Sequence, residues 1–379
     1  MKRRTWVVLM GLVAAMAASC DSDDSSADEN NIPVGLRLCT ATDQGIEVVD
    51  FESIAVQPSG TAAGDSYSVN LDVRGSASVS GAVDVALWTN TAIVAVAGVA
   101  AEGLVGFDLL DPDNPVQIGA LDMDSPLRLR IRDASLYVAQ GNKGLSVLTL
   151  PIDFSYIETN HFVFDADDLG NPISVKDVEA DGAVLYLATD HGLWVLQYVN
   201  GTFTELAHDP STVLTSCRLG VNKNLLFCTG AGLAPDVPAM QPNPRGLMIY
   251  DVSEVDSPQL ISATANSNVD LSTTLDFATS GTNQALVVEQ GMGLAWWDIS
   301  SLEEPVRTDL TDMPWPDQVK TEGSWAFVTS RGVDTVPHQG SGVHIFSFGG
   351  TVPAETYAIG HITPTNDARV KAVDIQTIQ

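Results

Sequence analysis

The sequence predicts an all-β chain folded as a seven-bladed β-propeller of four-stranded blades, the first blade closed by the C-terminal strand. Three observations predict it. One short motif, a Gly followed by an aliphatic residue, a variable residue and further apolar residues, occurs seven times. Successive motif glycines lie 41 to 58 residues apart, mostly near the roughly 40–50 residues that one blade takes. The last strand-like run, 369–375, has no following partner.

The copies run in order as Gly45-Ile46-Glu47-Val48-Val49, Gly103-Leu104-Val105-Gly106-Phe107, Gly144-Leu145-Ser146-Val147-Leu148 and Gly192-Leu193-Trp194-Val195-Leu196. Gly246-Leu247-Met248-Ile249-Tyr250, Gly293-Leu294-Ala295-Trp296-Trp297 and Gly342-Val343-His344-Ile345-Phe346 complete the set. Runs such as 93–96, 136–139, 185–188 and 325–328 precede them. Their β-branched and aromatic residues, bounded by turn residues, read as strands. After three copies a similar turn runs from Asp to Pro: Asp108 to Pro115, Asp251 to Pro258 and Asp298 to Pro305. Asp favours the turn, and Pro starts the outer strand, where a missing N–H costs nothing.

The first motif has a strand before it (36–41) and one after it (near 67–73), but no innermost strand of its own. Pairing the run 369–375 into this blade closes the ring and covers both sheet edges. An open or six-bladed array is the alternative.

These repeats resemble the LVIVD-repeat family of bacterial surface propellers. The resemblance covers nearly the whole chain after its N-terminal segment. It implies architecture and leaves function open, because members of that family mostly lack an assigned activity. Copies at Gly144, Gly192 and Gly342 lack the Asp-to-Pro turn and are divergent.

The N-terminus carries Lys2, Arg3 and Arg4, then an apolar run from Trp6 to Ala18. That is the layout of a signal peptide, too short to span a bilayer as a permanent helix. It ends Ala17-Ala18-Ser19-Cys20, which resembles the lipoprotein cleavage box, with Ala17 where Leu is usual. Lipidation at Cys20 is the expectation, and ordinary cleavage near Ser19 the alternative. Residues 1–19 are then the signal peptide, 20–33 an acidic disordered tether and 34–379 the propeller. Within it, the run 21–31 holds five acids and no apolar residue beyond Ala27, so it cannot bury enough surface to fold. An exported protein, lipid-anchored to the bacterial cell envelope, follows. Whether inner or outer membrane is left open.

Removing the signal leaves 15 cations against 48 acids, a net charge of −33. Such a field repels phosphate backbones, which excludes nucleic-acid binding. Four cysteines occur. Cys20 is the lipidation site and Cys39 a core strand residue. Cys217 and Cys228 fall opposite each other across a turn at Asn222-Lys223. A disulfide fits that register; two buried thiols are the alternative.

No nucleophile elbow, zinc motif, phosphate loop or dinucleotide fingerprint is present. The acidic turn 165–171 has some character of a Ca2+ loop without its full ligand series; a solvated turn is the alternative. Two patterns stand out. First, Arg128, Arg130, Arg132, Lys176, Arg218 and Lys320 fall in runs read as innermost strands, as do Arg369 and Lys371. They point to an anion site in or above the central channel, for a carboxylate or phosphate. The alternative is internal pairing with Asp84, Asp177, Asp276 and Asp317. Second, the loops 230–245 and 330–341 are long and share one face. They carry Arg245, Arg331, Asp334 and His338 and are candidates for the walls of a binding cleft.

The leading functional expectation is a non-enzymatic binding or scaffold module whose partner is an envelope protein or a small anionic ligand. The runner-up is an envelope hydrolase or lactonase-like propeller enzyme with a metal at the axis, against which the basic inner strands argue.

Overall fold

Seven four-stranded antiparallel sheets make up the computed structural model. It describes residues 36–51, 73–98, 103–152, 154, 160–167, 170–220, 222–233, 245–264, 272–277, 283–289, 292–322, 325–333, 339–347 and 360–377. From blade 2 to blade 7 the innermost strands are Ala82–Trp88, Arg128–Arg132, Val175–Asp181, Thr212–Leu219, Ser272–Phe277 and Pro316–Glu322. In each of these blades the chain then steps outward through three more strands.

Blade 1 is assembled from both ends of the described chain. Its innermost strand is Val370–Thr377, which pairs antiparallel with Leu36–Thr42, and Gly45–Phe51 and Gly75–Ser78 follow outward. The closure expected from the unpartnered run is therefore observed. The outer strand lies at 75–78, later than the run 67–73, which falls outside the described residues. Each innermost strand contacts the next around the ring, and Val370–Thr377 contacts both Pro316–Glu322 and Ala82–Trp88.

Seven apolar clusters fill the seams between blades. Alternate residues of a strand face opposite seams. Leu38 and Val49 of blade 1 pack with Phe327 and Ile345 of blade 7. Their neighbours Cys39 and Val48 pack with Val85 and Val94 of blade 2. Both faces of the middle of each blade are buried, so second and third strands such as Thr91–Val96 and Gly293–Asp298 read as nearly continuous apolar runs.

The motif glycines have a steric cause. Each opens the third strand of its blade, against the outer strand. A Cβ on Gly103 would stand 1.9 Å from the Leu121 carbonyl oxygen, and one on Gly192 1.8 Å from that of Asp209. The backbone at both has positive φ, 147° and 100°, a region that side chains disfavour. The Asp-to-Pro turns also form as expected. Asp108, Asp251 and Asp298 each accept the backbone N–H two residues on, at 2.9, 2.9 and 2.8 Å, the Asx-turn geometry.

One expectation is corrected. Cys217 and Cys228 are opposed in register, yet both are free, buried thiols. Cys217 Sγ is turned to the Tyr186 carbonyl of blade 4 at 3.4 Å. Both side chains pack in the apolar seam between blades 4 and 5, and burial pushes both thiols well above their ordinary range.

Candidate functional site: a cationic mouth on the axis

The innermost strands enter the ring through β-bulges. In blade 2, Ala82 pairs with Val96 and Asp84 with Ala95, leaving Val83 unpaired between them. The same step leaves out Lys176 in blade 4, Thr215 in blade 5, Thr273 in blade 6, Asp317 in blade 7 and Lys371 in blade 1. In blade 3, Leu127 donates to the Ala139 carbonyl, which Arg128 already opposes. A bulge inserts one residue and re-aims its side chain. Here the bulged residues converge on the axis.

Six of them, Val83, Leu127, Lys176, Thr215, Asp317 and Lys371, line one cavity of about 350 Å³ together with Arg128 and Arg331. It lies at the end of the channel where the innermost strands begin. Its walls are Lys371, Val83, Leu127, Arg128, Lys176, Thr215, Asp317 and Arg331. Four cations meet one carboxylate, and that carboxylate is taken: Arg331 Nη2 donates to Asp317 Oδ1 at 2.6 Å and Nε donates to Oδ2. Lys176 Nζ donates to Ser174 Oγ at 2.8 Å. Among the described residues Arg128 and Lys371 donate no side-chain hydrogen bond. Burial first, then the like charge of Arg331, holds the Lys371 ammonium below its ordinary range, against the pull of Asp43 and Asp317.

Below the mouth the charges are spent on the fold. One residue on, Asp84 accepts the Leu129 N–H of blade 3 at 2.7 Å. Asp177 accepts Ser216 Oγ and Arg218 Nη1 of blade 5, both at 2.6 Å, and Gln318 accepts the Val373 N–H of blade 1 at 2.7 Å. All three staples run from one blade to the next. Burial pushes the Asp84 carboxyl up, although Arg128 and Lys320 oppose it. Burial acts on Asp177 as well, but Arg218 and Arg130 outweigh it and bring its pKa down.

Three residues beyond the bulge, a belt of charges of alternating sign stands on every blade but blade 2, which has Ala86: Asp374 in blade 1, Arg130 in blade 3, Glu179 in blade 4, Arg218 in blade 5 and Lys320 in blade 7. Asp276 takes that register position in blade 6. Lys320 Nζ lies 3.4 Å from Asp374 and Arg130 Nη2 3.8 Å from Glu179. Arg132 Nε donates to the Ala180 carbonyl at 3.2 Å.

The expected anion site is thus divided. Arg128 and Lys176 reach the mouth, while Arg130, Arg132, Arg218 and Lys320 are held by neighbouring blades. Lys371, already placed on an innermost strand by the sequence, joins the mouth. Arg331 joins it too. Sequence reasoning put Arg331 in a long loop; it ends the second strand of blade 7, opposite Ser341. Arg245 begins the third strand of blade 5. Cys20, Asp334, His338 and most of both long loops lie outside the described residues.

Two other polar groups are accounted for. In the acidic turn, Asp167 accepts the backbone N–H and side-chain amide of Asn171 at 2.6 and 2.9 Å and lies 3.3 Å from His191 Nε2; Asp168 is outside the described residues. Ser146 Oγ lies 2.9 Å from His161 Nδ1, the separation of a nucleophile and its base. The Ser146 hydroxyl donates to Gln140 Oε1 and is buried, so this trio braces the outer strand of blade 3. Among the described residues no three His, Cys, Asp or Glu side chains gather to hold a metal.

Fold and site together define a seven-bladed propeller whose axis is charged throughout and open at a cationic mouth. Similar solved structures share the architecture. A Bacteroides uniformis protein provisionally named a 6-phosphogluconolactonase superposes with a TM-score of 0.66 at 9% identity, over 91% of this chain and 100% of that one. A Bacteroides fragilis protein of the same provisional name gives 0.65 at 10% identity, over 93% and 100%. A hypothetical selenium-binding protein of Sulfolobus tokodaii gives 0.59 at 11% identity, over 91% and 94%. At these identities the likeness is one of fold. No family model and no curated protein matches the sequence.

Proposed function

We propose that the chain is an exported, lipid-anchored propeller of the LVIVD type that works by binding, with a small anionic ligand held at the cationic mouth. The observation that carries this reading is the convergence of Arg128, Lys176, Lys371 and Arg331 on one cavity where, among the described residues, the one acid in the wall is already paired. A pocket of this size suits a small molecule. Its charge attracts an anion through a surface that is otherwise strongly acidic.

Calorimetric titration of the full-length protein in mild detergent with inorganic phosphate and with citrate tests it. Saturable binding is expected, weakening steeply as salt rises from about 0.05 to 0.5 M because exposed charges are then screened. The double variant R128M/K371M is expected to lose it. Absence of saturable binding, or binding unchanged in that variant, overturns the reading. The anchor is tested separately by metabolic labelling with a palmitate analogue, which should mark the wild type and spare C20A.

A lactonase-like enzyme is the second reading, favoured by the fold shared with the proteins provisionally named 6-phosphogluconolactonases: a phosphorylated sugar lactone is an anion, the charge class this mouth attracts. Turnover of 6-phosphogluconolactone, lost in R128M, would select it. A defined envelope protein cross-linking to the mouth face would instead select the scaffold form of the binding reading.

A further inference from the structure

The order of residues around the mouth names a ligand class more narrowly than its charge does. Going round the ring from blade 1, the bulge positions present Lys371, Val83, Leu127, Lys176 and Thr215, and blade 7 presents Asp317 with its partner Arg331. The two lysines stand on blades 1 and 4 of seven, nearly across the channel from each other. Between them, on blades 2 and 3, the wall is apolar, with Arg128 one residue beneath Leu127.

Lys371 and Lys176 rise from strands three blades apart, so two anionic groups, one for each, match them better than one. Lys371 is half-buried beside the like charge of Arg331, so an anionic group placed against it is favoured. An anion with one charged group at each end and a short carbon chain between satisfies all three features. One end meets Lys371, the other meets Lys176, and the chain lies along Val83 and Leu127 over Arg128.

Resting on the anion-binding reading above, we infer that the mouth takes a small organic dianion, an α,ω-dicarboxylate of a few carbons, spanning the channel from blade 1 to blade 4.

The test is calorimetric titration of the full-length protein in mild detergent with succinate, glutarate and adipate, against acetate, butyrate and inorganic phosphate. At least one dicarboxylate is expected to bind at least about tenfold more tightly than any of the single-headed anions, the size of one added charge-assisted contact. K176M and K371M should each bring that dicarboxylate down to the affinity of butyrate, while their melting temperatures show that the ring is intact. If phosphate or butyrate binds as tightly as every dicarboxylate, or if neither lysine variant narrows the gap, the dianion inference is overturned and the anion-binding reading survives. If no anion binds in an Arg128-dependent way, both are overturned.

Discussion

The mouth of the channel and the belt three residues below it draw on the same few side-chain types and put them to opposite use. In the belt, cations and carboxylates alternate from blade 3 round to blade 1. Lys320 faces Asp374 and Arg130 faces Glu179, while Arg218 reaches up to Asp177. At the mouth, four cations share one carboxylate, and two of them donate nothing among the described residues. The difference lies in what the adjacent blade offers. A cation matched by its neighbour ties two blades together; a cation without a match keeps its hydrogen bonds for something that arrives from solution. Charge counting along a strand cannot separate these roles, because both occur within the five residues of Arg128–Arg132.

The largest effect that would break this comparison is expected in the belt. R218A leaves Asp177 buried without its ion partner, a change of about 3–5 kcal/mol in unfolding free energy, read from urea denaturation. If R218A costs no more than a surface substitution, the belt does not hold the ring. K320A removes a part-buried pair and should cost about 1 kcal/mol. R128M, at the mouth, removes the first of the charges that offset the burial of Asp84 and should cost about 1 kcal/mol while abolishing anion binding; a loss as large as that of R218A would show that Arg128 belongs to the fold before the mouth.

Titration sharpens the contrast further. The pKa of Asp177 lies below its ordinary value, so it contributes stability that is present above pH 3.8 and is lost as pH falls through its lower folded value. R218A should remove that acid-side loss, visible as a flatter dependence of the urea midpoint below pH 3.8. The smallest effect is expected at His191. Burial opposes its protonation, but Asp190 at 3.0 Å and Asp167 at 3.3 Å raise its pKa above 6.5. A raised histidine contributes stability below pH 6.5 that is lost as pH rises through the folded value. The wild type should therefore lose a little stability from pH 6 to pH 8 that H191Q does not lose.

The seven blades and their closure were legible because they rest on local chemistry. A Gly is needed wherever the third strand starts under a carbonyl of the outer strand, and an Asp wherever its side chain caps the following turn. Both leave marks at fixed spacing. The mouth was legible only in outline. Arg128 and Lys176 stand out as cations on inner strands, but so do Arg130 and Arg218, and which of them is matched depends on the blade alongside. The bulges that choose Lys371, Lys176 and Asp317 are properties of pairing, since the extra residue shows only when two strands are in register. Arg331 was assigned to a loop because Gly332 and the polar residues after it mask the strand that ends there. The disulfide expectation failed on orientation: register put Cys217 and Cys228 together, and the seam turned the first sulfur to blade 4.

Closure of blade 1 also fixes the rim on which the described chain enters the ring. Leu36 pairs with Thr377, at the opposite end of the innermost strand from Lys371. The chain therefore enters the ring on the rim away from the mouth. Fifteen residues separate Cys20 from Leu36, a reach of at most about 50 Å when fully extended. A lipid on Cys20 would therefore tether the ring from the rim away from the mouth, and the mouth would lie at the free end of the axle.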